Sequence, residues 1–157
     1  MTSITKISQI TTMTITTTYE AVLNIIRARL ALDISLTDNA DAARLLCDDS
    51  DTALRSAIDG AWPAVALALA PLADEAPAAP LTMEIGALDV LPRGLGLAFS
   101  RAVEEALALE ALAAIHAGEV GTAGRYSEMS RRAAERALAI AAGTNDYSPR
   151  HIPRWPY

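Results

Sequence analysis

Apolar residues recur at three- and four-residue steps along four stretches of this chain, and that spacing commits each stretch to a helix with one buried stripe. The stripes are Val22, Leu23, Ile26 and Leu30; then Leu54, Ile58, Ala61, Val65 and Leu69; then Leu95, Phe99, Ala102, Ala106, Leu109 and Ala113; and last Tyr126, Met129, Ala133, Ala137 and Ile140. Hydrophobic residues make up 52% of the chain but aromatics only 4%. The core is therefore aliphatic and alanine-rich, a composition that favours close helix packing. At 157 residues the chain is about one domain. The fold class that follows is mostly α: a small helical bundle of about four helices with extended N- and C-terminal arms.

The boundaries are read from caps and breakers. Residues 1–17 are a threonine-rich arm with strand propensity and no neighbouring strand. It reads as a disordered leader or as an arm that adds a strand to something else, and Met13 is an alternative start of translation. Thr17 and Glu20 have capping-box spacing and open a helix over about 18–32. ISLTDN, 34–39, is a polar break, and Asp38 or Asn39 caps a short helix over 40–47. Asp49, Ser50 and Asp51 are N-caps for the next helix, which Pro63 kinks or restarts after Gly60. Residues 73–80 form a loop, and 81–85 a short strand or extended coil. A long helix covers about 94–117. The glycine-rich hinge 118–124 leads to a final helix over about 123–142, with Thr122 as N-cap and Gly143 as its C′ stop. The helical domain is thus 18–143, and 144–157 is a second arm.

The net charge of −6 argues against general nucleic-acid binding. Eleven acids against Arg44 and Arg55 make 33–90 an acidic block, while 91–157 holds eight arginines against seven acids. The single cysteine, Cys47, excludes an internal disulfide and reads as a small buried residue. The N-terminus lacks the pattern of a signal peptide, and the apolar run 61–73 is too short for a bilayer. An intracellular chain with no membrane contact is expected.

Side chains that carry chemistry read as structural. Asp48, Asp49 and Asp51 lack the spaced ligands and turn glycine of a calcium loop, and helix capping accounts for them. His116 stands at a helix C-terminus, where a cation is favoured. His151 lies in the tail, with no Cys/His cluster to make a metal site. Gly118, Gly121 and Gly124 follow a helix and lack the lysine of a phosphate loop. Glu104 and Glu105, adjacent in sequence, do not share a helix face and read as a solvated edge. No catalytic, cofactor or metal residues are assigned, and the chain is not expected to be an enzyme. A dispersed site around Cys47 or His116 ranks last.

The tail is the exception. Tyr147, Trp155 and Tyr157 accompany Pro149, Pro153 and Pro156 in the last residues, with Arg150 and Arg154 between them. Prolines stiffen such a segment, and Trp, Tyr and Arg are enriched at binding hot spots. The tail reads as an adhesive segment that docks on another chain or back on its own domain.

The acidic helix start DDSDTALRSAIDGAW, the segment LPRGLGLAFSRAVEEALALEALA and the closing RYSEMSRRAAERALA together resemble the head-to-tail connector (adaptor, neck) proteins of long-tailed bacteriophages and prophages. The resemblance covers about 47–142. It implies a helical bundle that assembles into a homo-oligomeric ring beneath the portal, with termini reaching portal, neck or tail proteins. It also implies a virion location after assembly in the host cytoplasm, and DNA passing through the ring without sequence-specific contact. The residues expected to meet neighbours are Tyr147, Arg150, Arg154, Trp155 and Tyr157 on the arm. Arg125, Arg131 and Arg132, with Arg136, would form a basic helix face opposing a neighbour's acidic segment. The alternative is a soluble helical binding module or regulator that sequesters one protein partner.

Overall fold

The structure, a computed structural model, describes residues 13–37, 43–44, 46, 51–72, 81–85 and 93–145. The elements are β1 (Met13–Thr16), α1 (Tyr19–Thr37), α2 (Asp51–Ala68), a 3-10 turn (Ala70–Leu72), β2 (Thr82–Ile85), α3 (Arg93–Ile115) and α4 (Val120–Asn145). The fold is mostly α, a bundle of four helices among the described residues. Ala43 and Arg44 are helical. The bounds expected for a short helix there, the loop 73–80, Cys47, most of the N-terminal arm and nearly all of the C-terminal arm lie outside the described residues.

The strand-forming end of the leader has its partner within the chain. β1 and β2 pair antiparallel, with Met13 opposite Ile85 and Thr16 opposite Thr82. The ladder runs one step further, where the Thr17 amide donates to the Leu81 carbonyl at 2.9 Å. This displaces the expected capping box. The amide that Glu20 would have taken is already used by the ribbon. Thr17 is buried, and its hydroxyl has no hydrogen-bond partner. The cap is instead Thr18, whose hydroxyl accepts from the Ala21 amide at 3.3 Å.

Leu81 pays for this junction with its backbone. Its φ is 62°, in the left-handed region, which costs a leucine about 1–2 kcal/mol. In return its side chain is only 3% exposed and joins the core.

α1 outlasts the polar break expected at 34–39, continuing through Thr37. Tertiary contacts hold its last turns. Asp33 accepts a hydrogen bond from the Tyr126 hydroxyl and Ile34 packs on the core, while within the helix Ser35 Oγ donates to the Leu32 carbonyl at 2.7 Å. α2 runs through Pro63 without restarting, and its stripe is buried as the spacing predicts, joined by Trp62 and Ala66.

α3 packs against each of the other three helices. Its middle is therefore buried all round, with Ala106, Leu107, Ala108 and Leu109 at most 1% exposed. A helix apolar on all sides is one surrounded by others. α3 and α4 form a hairpin through a tight turn at 116–119, where the Glu119 amide donates to the His116 carbonyl at 2.8 Å. α4 starts before Thr122, because the Ala123 amide donates to the Glu119 carbonyl at 2.9 Å. The expected hinge at 118–124 is thus shorter, and Gly121 and Gly124 lie inside the helix. Gly143 does not stop α4 either. The helix reaches Asn145, and Ala141 in its last turns is fully buried. Packing of Tyr126, Ala133, Ala134, Ala137 and Ala141 outweighs the roughly 1 kcal/mol that a helical glycine costs. Ser130 Oγ adds a buried tie, donating to the Ala106 carbonyl at 2.8 Å.

Candidate interaction surface

Of the residues expected to meet neighbours, Arg125, Arg131 and Arg132 lie on α4 within the described residues, and Tyr147, Arg150, Arg154, Trp155 and Tyr157 lie outside them. The α4 arginines are already engaged within the chain. Arg131 donates to both oxygens of Glu128, at 2.7 and 3.0 Å, and also to Glu135. Arg132 Nε reaches Glu128 at 3.0 Å. The two guanidinium groups hold the Glu128 carboxyl down at about 2, against an ordinary 4.5. The Arg125 guanidinium sits 5.5 Å from the centre of the Tyr126 ring, within cation–π range. On this face Arg131 and Arg132 are held by Glu128 and Glu135 of the same helix.

Arg136 turns inward. It donates to Glu105 Oε2 at 2.9 Å, while Arg29 lies 3.4 Å from Glu105 Oε1. Glu105 is thus no solvated edge: it bridges α1, α3 and α4. Its neighbour Glu104 faces a groove shared with Ala21, Ile25, Arg29 and Arg101. Burial pushes the Glu104 carboxyl up, opposed by Arg101. The sequence could not reveal this bridge, because it needs three helices brought together.

A second polar cluster lies where α1 meets the α3–α4 turn. His116 is buried, its ring stacked on Tyr126 at 5.6 Å, and its Nε2 has no hydrogen-bond partner. Burial, then the hydrogen bond to Asp33, pushes the Tyr126 phenol up to about 12. At the other end of α1, Tyr19 donates to Asp59 and lies under the Arg55 guanidinium, while Arg27 pairs with Asp51 at 2.5 Å. Asp51 therefore both opens α2 and ties it to α1.

A shallow groove between α2 and α4 is lined by Ala64, Val65, Ala68, Gly124, Ser127 and Ala134. Leu36, Leu67 and Val120 are each more than 70% exposed, and none of them belongs to the apolar stripes read from the spacing. Among the described residues no three of His, Cys, Asp and Glu converge as a metal site. No helix among them is long and apolar enough to cross a membrane.

No protein-family model, no curated protein and no solved structure matches this chain.

Proposed function

We propose that this chain is a structural subunit of a phage or prophage particle, a head-to-tail connector that forms a ring at the neck between portal and tail. The observation that carries the reading is the placement of the three segments on which the resemblance rests. They fall on α2, α3 and α4, and α3 is the helix around which the others pack. In this reading the bundle is the rigid body of the subunit. The N-terminal and C-terminal arms make the contacts with neighbours, portal and tail proteins. Arg131, Arg132 and Arg136 are held by carboxylates of the same chain, so in this reading the arms, more than the α4 face, set partner choice.

The test is mass spectrometry of particles purified after induction of the source culture. A copy number close to that of the portal supports the neck ring. Absence from particles, with abundance in the cell, overturns it and promotes the sequestering module. Removing 146–157 tests the arm. Assembly should weaken while helicity is kept, and full assembly of the truncated chain would remove the arm from the mechanism.

A further inference from the structure

We propose that two copies of this chain pair face to face through the second half of α2, each setting Leu67 into the groove between α2 and α4 of the other. The inference does not depend on the particle reading: such a pair closes on itself, whereas a ring joins copies through surfaces that differ.

α2 changes character along its length. In its first half the exposed positions are Thr52, Ala53, Arg55, Ser56 and Asp59, a largely polar outer face. From Gly60 to Leu72 the chain reads GAWPAVALALAPL, with no charged side chain and no polar one but the Trp62 indole. Ala61, Val65 and Leu69 go to the core. Pro63, Ala64, Ala68, Ala70 and Pro71 are exposed nonetheless, and Leu67 is 76% exposed. A helix that is apolar all round is one covered on all sides, and this half is covered on one side only. A contiguous apolar face of this kind marks a protein contact.

Two glycines point the same way. Gly60 lies inside α2 and Gly124 inside α4, each less favourable in a helix than alanine. A Cβ built on either meets nothing within 4 Å, so among the described residues no packing within the chain calls for glycine. Gly60 begins the apolar face, and Gly124 lines the groove beside it. Bare backbone there leaves room for atoms that come from outside the chain.

The occupant follows from the face itself, which carries a ridge and a hole side by side. Leu67 is the ridge. The hole is the groove, about 390 Å³, with Ala64, Val65 and Ala68 on one wall and Gly124, Ser127 and Ala134 on the other. Ala64 stands three residues before Leu67, so ridge and groove adjoin. A two-fold axis between them places each copy's Leu67 in the other's groove, and one patch serves both copies. Charge agrees. In the groove, Glu128 and Arg131 are paired with each other. A charged segment laid on this neutral face would lose water without gaining an opposite charge, whereas a second copy brings no charge to desolvate. Glu110, the remaining charged residue of the groove, is the one group that would favour a basic segment of another protein instead. A single helix half is narrow beside a standard interface of about 800 Å² per partner. The groove widens the contact by bringing in α4, and the expected pairing is weak.

The experiment uses the purified full chain in sedimentation velocity from about 1 μM to about 1 mM, with circular dichroism and urea unfolding as checks on folding. Leu67→Glu and Gly124→Leu are the test variants, and Glu110→Gln and Leu36→Glu the controls. The wild type should show a dimer within this range. Leu67→Glu counts twice in a two-fold pair and should raise the dissociation constant at least about ten-fold. Gly124→Leu fills the groove and should do the same without lowering the urea midpoint. Leu36→Glu, at a leucine 73% exposed on α1, should leave the dimer as it is, and Glu110→Gln should not weaken it. A monomeric wild type overturns the proposal and gives the face to another protein. So does a dimer untouched by Leu67→Glu, or one lost in either control. Open-ended assembly that Leu67→Glu abolishes overturns the two-fold pair as well, because that contact does not close. If the chain is present in particles while the wild type stays monomeric in solution, the pair is wrong and the subunit reading stands.

Discussion

Tyr126 donates its hydroxyl hydrogen bond to the carboxylate of Asp33, joining the start of α4 to the end of α1. These helices are far apart in sequence, and this contact accounts for α1 outrunning its polar break. Tyr126→Phe keeps the ring against His116 and removes only the bond. The variant should lose about 1–1.5 kcal/mol, read as a lower urea midpoint with an unchanged slope.

The same phenol predicts an alkaline limb. Its folded value of about 12 lies above the ordinary 10, so the folded state holds the proton more tightly. The resulting stability is fully present below pH 10 and is lost as pH rises through 12. Absorbance titration should find one tyrosine ionising near 12. In Tyr126→Phe, stability should fall less steeply above pH 10 than in the wild type.

Glu105 holds Arg29 and Arg136 together from a side chain that is 27% exposed. Glu105→Gln should cost about 1 kcal/mol, more than an isolated surface pair. A double-mutant cycle with Arg136→Gln should give a coupling above about 0.5 kcal/mol. Additive single effects would mean that the bridge contributes nothing in solution.

Glu128 predicts the acid limb. Its folded value near 2 lies below the ordinary 4.5, so its contribution is present above pH 4.5 and is lost as pH falls through 2. Carboxyl carbon shifts should place its titration well below those of the other glutamates. Replacing both Arg131 and Arg132 with glutamine should return it toward 4.5.

Leu81 reverses the usual order of truncations. Leu81→Ala loses a buried side chain and keeps the unfavourable backbone, and should cost about 2–4 kcal/mol. Leu81→Gly loses slightly more surface but relieves the backbone. It should be no less stable than the alanine variant, as measured by thermal or urea unfolding.

The four stripes made the helices legible, because burial on one side leaves a three-to-four-residue rhythm. What escaped were features settled by partners remote in sequence. Nothing near Thr17 announces that Leu81 will claim its amide and move the cap to Thr18. Nothing near Gly143 announces that the burial of Ala141 will carry α4 onward. α3 showed one stripe, yet Ala106 to Leu109 are buried all round, since periodicity reports one packed side and not three. The bridge at Glu105 and the cluster of Asp33, His116 and Tyr126 were invisible for the same reason. The arm residues and the role in a particle rest on resemblance and chemistry alone.

The ribbon also bears on the order in which the chain is completed. The α3–α4 hairpin joins neighbours in sequence, and closing it costs little chain entropy. β1 must find β2 across the whole of α1 and α2, a far larger loop, and its few backbone bonds repay that loop only once the helices between are in place. The leading strand is therefore among the last parts to be fixed. During that interval water satisfies the backbone groups that β1 and β2 later share.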